Sequence, residues 1–199
     1  MNAMPLLRLL SVLLFLAGAA DGARMVIIDA GHGGHDRGGM PGQSLEEKGF
    51  ALDVAKRLDS ALRRAGYGTL LTRRGDYFVT LDDRSAIANQ YAERAIFVSI
   101  HFNGATNPDA HGIETYYASG STSARLAQSI HSRVLRATGE EDRRVRSRSF
   151  SVLRKTRMPA VLCELGFLTN RGESTNIQRS SYRQRLADAI AAGITAVYR

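Results

Sequence analysis

Met25-Val-Ile-Ile-Asp-Ala-Gly-His-Gly-Gly34 decides how this chain is read. Met25 to Ile28 are apolar in a row, the mark of a short buried strand. An acid, two small residues and a histidine between glycines follow. Glycine lets the backbone turn sharply and lets other atoms approach closely. Open α/β sheets carry their chemistry at the carboxyl ends of strands, which is where His32 falls.

The same pattern recurs further along. Ile96–Ile100 is a second apolar run with His101 directly after it, then Asn103 and Gly104. Ala160–Cys163 is another, ending at Glu164. Thr69–Thr72 and Ile113–Tyr117 complete the strand-like runs, while Leu45–Ala65, Leu81–Glu93, Ser123–Ala137 and Tyr182–Tyr198 have helical periodicity. Alternation of the two types predicts one α/β domain with a largely parallel sheet and helices on both faces. Gly66 after Ala65 reads as a helix stop. Thr80 reads as an N-cap, with Asp82 and Asp83 at the positive end of the helix dipole.

The chain has 199 residues, enough for one domain with a substantial core. Its first twenty residues read differently: one positive charge and no acid up to Arg8, an apolar run from Leu9 to Ala20, and the small-residue site Ala17-Gly18-Ala19. That is the form of a secretory signal peptide over residues 1–20, cleaved between 19 and 23, with a single domain spanning 24–199. The run falls short of the ~20 residues of a membrane span, so no stable membrane insertion is expected after cleavage; a retained amino-terminal anchor is the alternative. Cys163 is the one cysteine, which rules out an internal disulfide. The net charge is +8, with 24 arginines against three lysines. Basic charge favours polyanionic partners. Export excludes nucleic acid and leaves the cell wall or the membrane surface.

His32 and His101, each at the end of a strand, are placed to meet at one sheet edge. Glu46-Glu47 opens the first helix between them. Two histidines and one glutamate with an open fourth position form the pattern of a catalytic zinc site; structural sites are closed and rich in cysteine. Other readings stand beside this one. A histidine after a strand also serves in turns and packing. Ser44-x-x-Glu47 fits a capping box, which would make Glu46, ~100° round the helix, the rival ligand. His35 and Asp36 share the glycine loop and are further candidates. Glu164 is suited to act as general base on water at a metal, or else pairs with one of the many arginines.

Taken together, Asp29-Ala-Gly-His-Gly-Gly, Glu47-Lys48, Ser99-Ile-His-Phe-Asn103, Gly112-Ile-Glu-Thr-Tyr-Tyr117 and Glu164-Leu-Gly-Phe-Leu-Thr-Asn170 resemble the zinc-dependent N-acetylmuramoyl-L-alanine amidases of the amidase-3 family, with which bacteria trim or split peptidoglycan. The resemblance runs from about Met25 to the carboxyl terminus. It implies one zinc ion held by His32, Glu47 and His101, with Glu164 as catalytic acid/base, and it favours Glu47 over Glu46. It implies a twisted, mostly parallel six-stranded sheet, one strand more than the five read above. Phe78–Thr80 or Phe150–Leu153 is the expected sixth. The implied reaction is hydrolysis of the amide between the lactyl group of N-acetylmuramic acid and L-alanine of the stem peptide, by an exported monomer acting in the periplasm or cell wall space. Peptidoglycan is then the partner, with a protein activator unspecified. Some division amidases of the family carry a long inserted helix that plugs the site; here only Ala118–Thr122 separate Tyr117 from the next helix, too few for such a plug. Asn103 is a candidate substrate contact or a turn residue. Arg143–Arg157, with seven basic side chains, reads as a loop that grips stem-peptide carboxylates or as a solvated basic surface.

Three rivals remain. A cysteine hydrolase would use Cys163, but adjacent strand residues face opposite ways, so Cys163 faces the core if Glu164 faces the site. A non-catalytic wall-binding or regulatory protein of the same fold would need only the shape. A phosphate loop at Gly31–Gly34 lacks the Gly-Lys-Ser/Thr ending.

Overall fold

The structure is a computed structural model and describes residues 25–198. The segment read as a signal peptide lies outside the described residues. From Met25 the chain runs β1 (Met25–Ala30), α1 (Glu47–Arg64), β2 (Gly68–Leu71), α2 (Leu81–Asn89), β3 (Ala95–Asn103), β4 (Ile113–Tyr117), α3 (Ser121–Thr138), β5 (Asp142–Ser147), α4 (Ser151–Lys155), β6 (Ala160–Phe167), α5 (Arg171–Gln178) and α6 (Ser180–Thr195).

The strands form one six-stranded sheet in the order β2-β1-β3-β6-β4-β5. β4 runs antiparallel to β6, β5 runs parallel to β4, and the other pairings are parallel. The expected fold class holds. The sixth strand does not lie where it was expected. It is Asp142–Ser147, an edge strand of charged residues with only Val145 as an aliphatic side chain, so it carries no apolar run to read. Phe78–Thr80 is irregular, and Phe150–Leu153 leads into and forms most of the short helix α4. The basic stretch Arg143–Arg157 is therefore part strand and part helix rather than a loop. α4 and α5 are too short to show a helical period.

Side-chain alternation along the strands sorts the two faces. Val26, Ile28, Val98, Ile100, Val161 and Cys163 point to the thicker side, where they pack with apolar residues of α1, α3 and α6. Ile27, Phe97, Tyr116 and Leu162 point to the other side, against Ala88 of α2 and Val152 and Leu153 of α4. Among the described residues, two short helices cover that second face. Asp29, Ser99, His101, Asn103, Glu114 and Glu164 share its parity, so the polar side chains emerge where the cover is thin. α2 and α4 are tied together by a Lys155–Asp82 ion pair and by Asn89, whose amide donates to Lys155 O at 2.9 Å and accepts from Arg157 N at 2.8 Å. No helix among the described residues is long and apolar enough to cross a membrane.

Local signals read from the sequence hold at two helix ends. Thr80 is extended and its hydroxyl accepts from Asp83 N, and Gly66 follows α1 with φ +90. The Ser44 capping box does not form: Glu46 occupies the N-cap position and Ser44 is exposed. Three residues, Ala118–Gly120, join β4 to α3, with no inserted helix there.

Candidate metal centre and active-site cleft

The loop after β1 bends back on itself at once. His32 has φ +59, a left-handed conformation that non-glycine residues seldom adopt and that concentrates at functional sites. Close packing explains the neighbouring glycines. A Cβ on Gly31 would sit 2.3 Å from the His101 ring, and one on Gly38 would sit 2.6 Å from the His32 ring and 2.7 Å from Glu47.

Two arginines that sequence reasoning passed over hold this loop. Arg84 of α2 is buried and pairs with buried Asp29 at 2.8 Å. The same guanidinium donates to Ala30 O at 2.6 Å and to His32 O at 2.7 Å. Thr72 and Ser99 hydroxyls donate to the Asp29 carboxylate at 2.6 and 2.7 Å. Burial alone would raise the Asp29 pKa, but the Arg84 charge and these bonds outweigh it and bring the carboxyl below its usual range. Arg73, fully buried, donates to Ala30 O at 3.0 Å and to Gly31 O and Lys48 O at 2.7 Å. Neither arginine sits in a pattern that marks it. Each looks like surface charge until the chain is folded.

His32, Glu47 and His101 come together, each offering one donor atom, with the three atoms within 4.8 Å of one another. His32 Nε2 lies 3.0 Å from Glu47 Oε2, and His101 Nδ1 lies 2.8 Å from Glu47 Oε1. Gly39 N and Phe102 N also donate to the Glu47 carboxylate, at 3.1 and 2.9 Å. Burial works against its charge, but the bonds to His101 and His32 outweigh it and hold the carboxyl well below the usual range. His101 lies within β3 rather than after it, next to an irregularity in the pairing with β6.

The other sequence candidates lie apart from this trio. Glu46 pairs with Arg37 at 2.8 Å. His35 is exposed, its ring 4.3 Å from that of Phe78. Asp36 is a neighbour of the trio rather than a member: its Oδ2 is 2.8 Å from His32 Nδ1, which leaves Nε2 of that ring facing Glu47. A carboxylate on the far nitrogen is the usual way a metal-binding histidine is oriented.

Glu164 lies within β6, in register with His101 on one side and Glu114 on the other. Its Oε2 is buried without a hydrogen-bond partner. Burial pushes this carboxyl up to about 7; the His101 charge opposes the rise, while Glu47 and Glu114 add to it. Cys163 faces the opposite side, wholly buried in the core, its thiol pushed up by burial to about 12. A thiol so placed is no nucleophile, which removes the cysteine-hydrolase rival.

A cavity of about 560 Å³ opens over these groups, with His32, Glu47, His101 and Glu164 among its lining residues. Asn103 also lines it. Its amide donates to buried Glu114 at 2.9 Å and its Oδ1 accepts from Gly104 N at 3.1 Å. Glu114, at an inward position of β4, was not picked out from the sequence. It also accepts from the Tyr116 hydroxyl at 2.7 Å and lies 3.3 and 3.6 Å from Arg143 and Arg146. Of the basic stretch, Arg143 and Arg146 thus sit near the cleft, while Lys155 is engaged with α2.

At one edge of the α/β sheet, two histidines and a glutamate that could hold a metal ion thus converge beside a carboxylate with an unpaired oxygen. Residues 26–196 match the amidase-3 family, described as N-acetylmuramoyl-L-alanine amidase, and the chain belongs to that family of hydrolases. YqiI of Bacillus subtilis is 40% identical over 179 residues, which cover 88% of this chain and 85% of YqiI. The B. subtilis N-acetylmuramoyl-L-alanine amidase LytC is 35% identical over 177 residues, covering 87% of this chain but 35% of LytC. The solved catalytic domain of CwlV, an N-acetylmuramoyl-L-alanine amidase from Bacillus (Paenibacillus) polymyxa, superposes with a TM-score of 0.80 at 38% identity, covering 87% of this chain and 97% of that one.

Proposed function

We propose that this protein hydrolyses the amide between the lactyl group of N-acetylmuramic acid and L-alanine in peptidoglycan, using one zinc ion held by His32, Glu47 and His101. One observation carries the reading: three donors of zinc type converge on the floor of a cleft that also holds the unpaired Glu164 Oε2. Two imidazoles and a carboxylate suit zinc and leave a coordination position for water or substrate. Bound there, the ion supplies Lewis acidity that polarises a carbonyl oxygen and lowers the pKa of water from ~15.7 toward ~7.

The protein groups do the rest. Glu164, with its pKa near 7, accepts the proton of the attacking water at its free oxygen and returns it to the departing amine of L-alanine. Asp36 orients His32, and the Arg84 and Arg73 bonds fix the backbone that carries it. Asn103, held by Glu114, contacts substrate. The amino-terminal segment, read as a signal peptide, supports export to the periplasm or cell wall space.

The test is Glu164→Gln. The variant keeps its zinc and loses roughly 10²–10⁴-fold in turnover on muropeptides, while chelation abolishes and zinc restores wild-type activity. Near wild-type turnover by the variant overturns the assignment. Full zinc binding with no turnover by the wild type would instead favour the non-catalytic wall-binding alternative.

A further inference from the structure

Among the described residues the large apolar side chains left exposed are Tyr77, Phe78, Leu81, Tyr91 and Phe150. Phe78, Leu81 and Phe150 line the same cleft as the three metal donors, and Tyr77 adjoins Phe78. Exposed apolar groups scattered singly mean little, but a cluster at a cleft mouth marks a binding surface.

The rings are also held in place. The Phe78 ring lies 4.3 Å from that of His35, and the Phe150 ring meets Tyr116 edge-on at 5.1 Å. The Tyr116 hydroxyl is anchored on Glu114 at 2.7 Å. Although residues 77–79 have no regular structure, bonds fix the segment from both ends. Asp76 accepts from Gly34 N and Lys48 Nζ at 2.8 Å, and Arg84 Nε donates to Val79 O at 3.0 Å. Rings fixed before binding spare the ligand the cost of ordering them.

We propose that Phe78 and Phe150 form a stacking subsite for a sugar ring of the glycan strand, beside the metal-binding floor. This rests on the amidase reading above. A pyranose presents faces of C–H groups with hydroxyls at its rim, which suits an apolar ring with polar neighbours. Asp36 and Ser151, both lining the cleft, supply such neighbours. The stem peptide is the less suitable occupant, because its carboxylates gain nothing from phenyl rings and would meet the charge of Asp36, which lines the cleft.

The experiment uses the zinc-loaded protein and three substrates that share one peptide: lactoyl-peptide without sugar, N-acetylmuramoyl-peptide, and the disaccharide-peptide. The wild type prefers the sugar-bearing substrates in kcat/KM. Phe78→Ala and Phe150→Ala each narrow that preference at least tenfold, mainly through KM, whereas Phe78→Trp and Phe150→Trp, which keep a ring, retain it. A preference unchanged in both alanine variants, or an equal loss on all three substrates, overturns the subsite. A wild-type protein that cuts none of the three overturns the amidase reading, and the subsite with it.

Discussion

Asp36 orients one of the three side chains of the proposed metal site. Its carboxylate, 2.8 Å from His32 Nδ1, fixes which nitrogen of that ring faces Glu47. Asp36→Asn removes the charge and keeps the size. It is expected to weaken zinc binding roughly 10–100-fold, read by competition with a chromophoric chelator; unchanged affinity would refute the orienting role. Gly31 makes a related point. From the sequence its part is to keep the approach to His32 open. In the fold it makes room for the His101 ring, which a Cβ would overlap at 2.3 Å.

At the scale of elements, α2 and α5 act as supports. α2 sends Arg84 under the sheet edge to Asp29 and to the carbonyl of His32. Arg84→Met leaves the Asp29 charge buried without its partner and should cost about 3–5 kcal/mol of stability. Urea unfolding measures this, and a loss under about 1 kcal/mol would show that Asp29 finds compensation elsewhere. α5, capped by Asn170, directs the buried Glu173 carboxylate back to Phe167 N at 2.7 Å and Gly112 N at 3.0 Å, bracing the ends of β6 and β4. Burial pushes this carboxyl up to about 7, although the two N–H groups oppose the rise. The folded chain therefore keeps its proton where the unfolded chain, with an ordinary pKa of ~4.3, has lost it. The stabilising contribution is complete below ~4.3 and is lost as pH rises to about 7. In urea titrations across that window, the stability of wild type relative to Glu173→Gln should fall with rising pH and then level off. A constant difference would contradict the assignment.

For the whole molecule, what was legible depended on how local its signal is. β1, β3 and β6 are continuous apolar runs because they are buried on both faces, and each ends near an ionisable residue, so His32, His101 and Glu164 could be found as a pattern. Glu47 was harder, since on spacing alone the capping box explained it equally well; the family resemblance favoured it over Glu46, and in the fold Glu46 takes the N-cap position. β5 is a charged edge strand and α4 has only five residues, so neither leaves a periodic trace. Arg73, Arg84 and Glu114 act through contacts across long stretches of chain that no spacing rule reports. The division of labour also appears only in three dimensions: the face packed by α1, α3 and α6 carries the larger core, and the face under α2 and α4 is left thin enough for a cleft.

The central claim, that this cleft cuts the bond between muramic acid and L-alanine, is tested most directly by mass spectrometry of a purified muropeptide digested in ¹⁸O-labelled water by the zinc-loaded protein. Two products are expected: a sugar bearing an intact lactyl carboxylate that carries the label, and a peptide with an unlabelled free amine on L-alanine. Cleavage of a glycosidic bond or within the peptide, or label found in any other group, would contradict it.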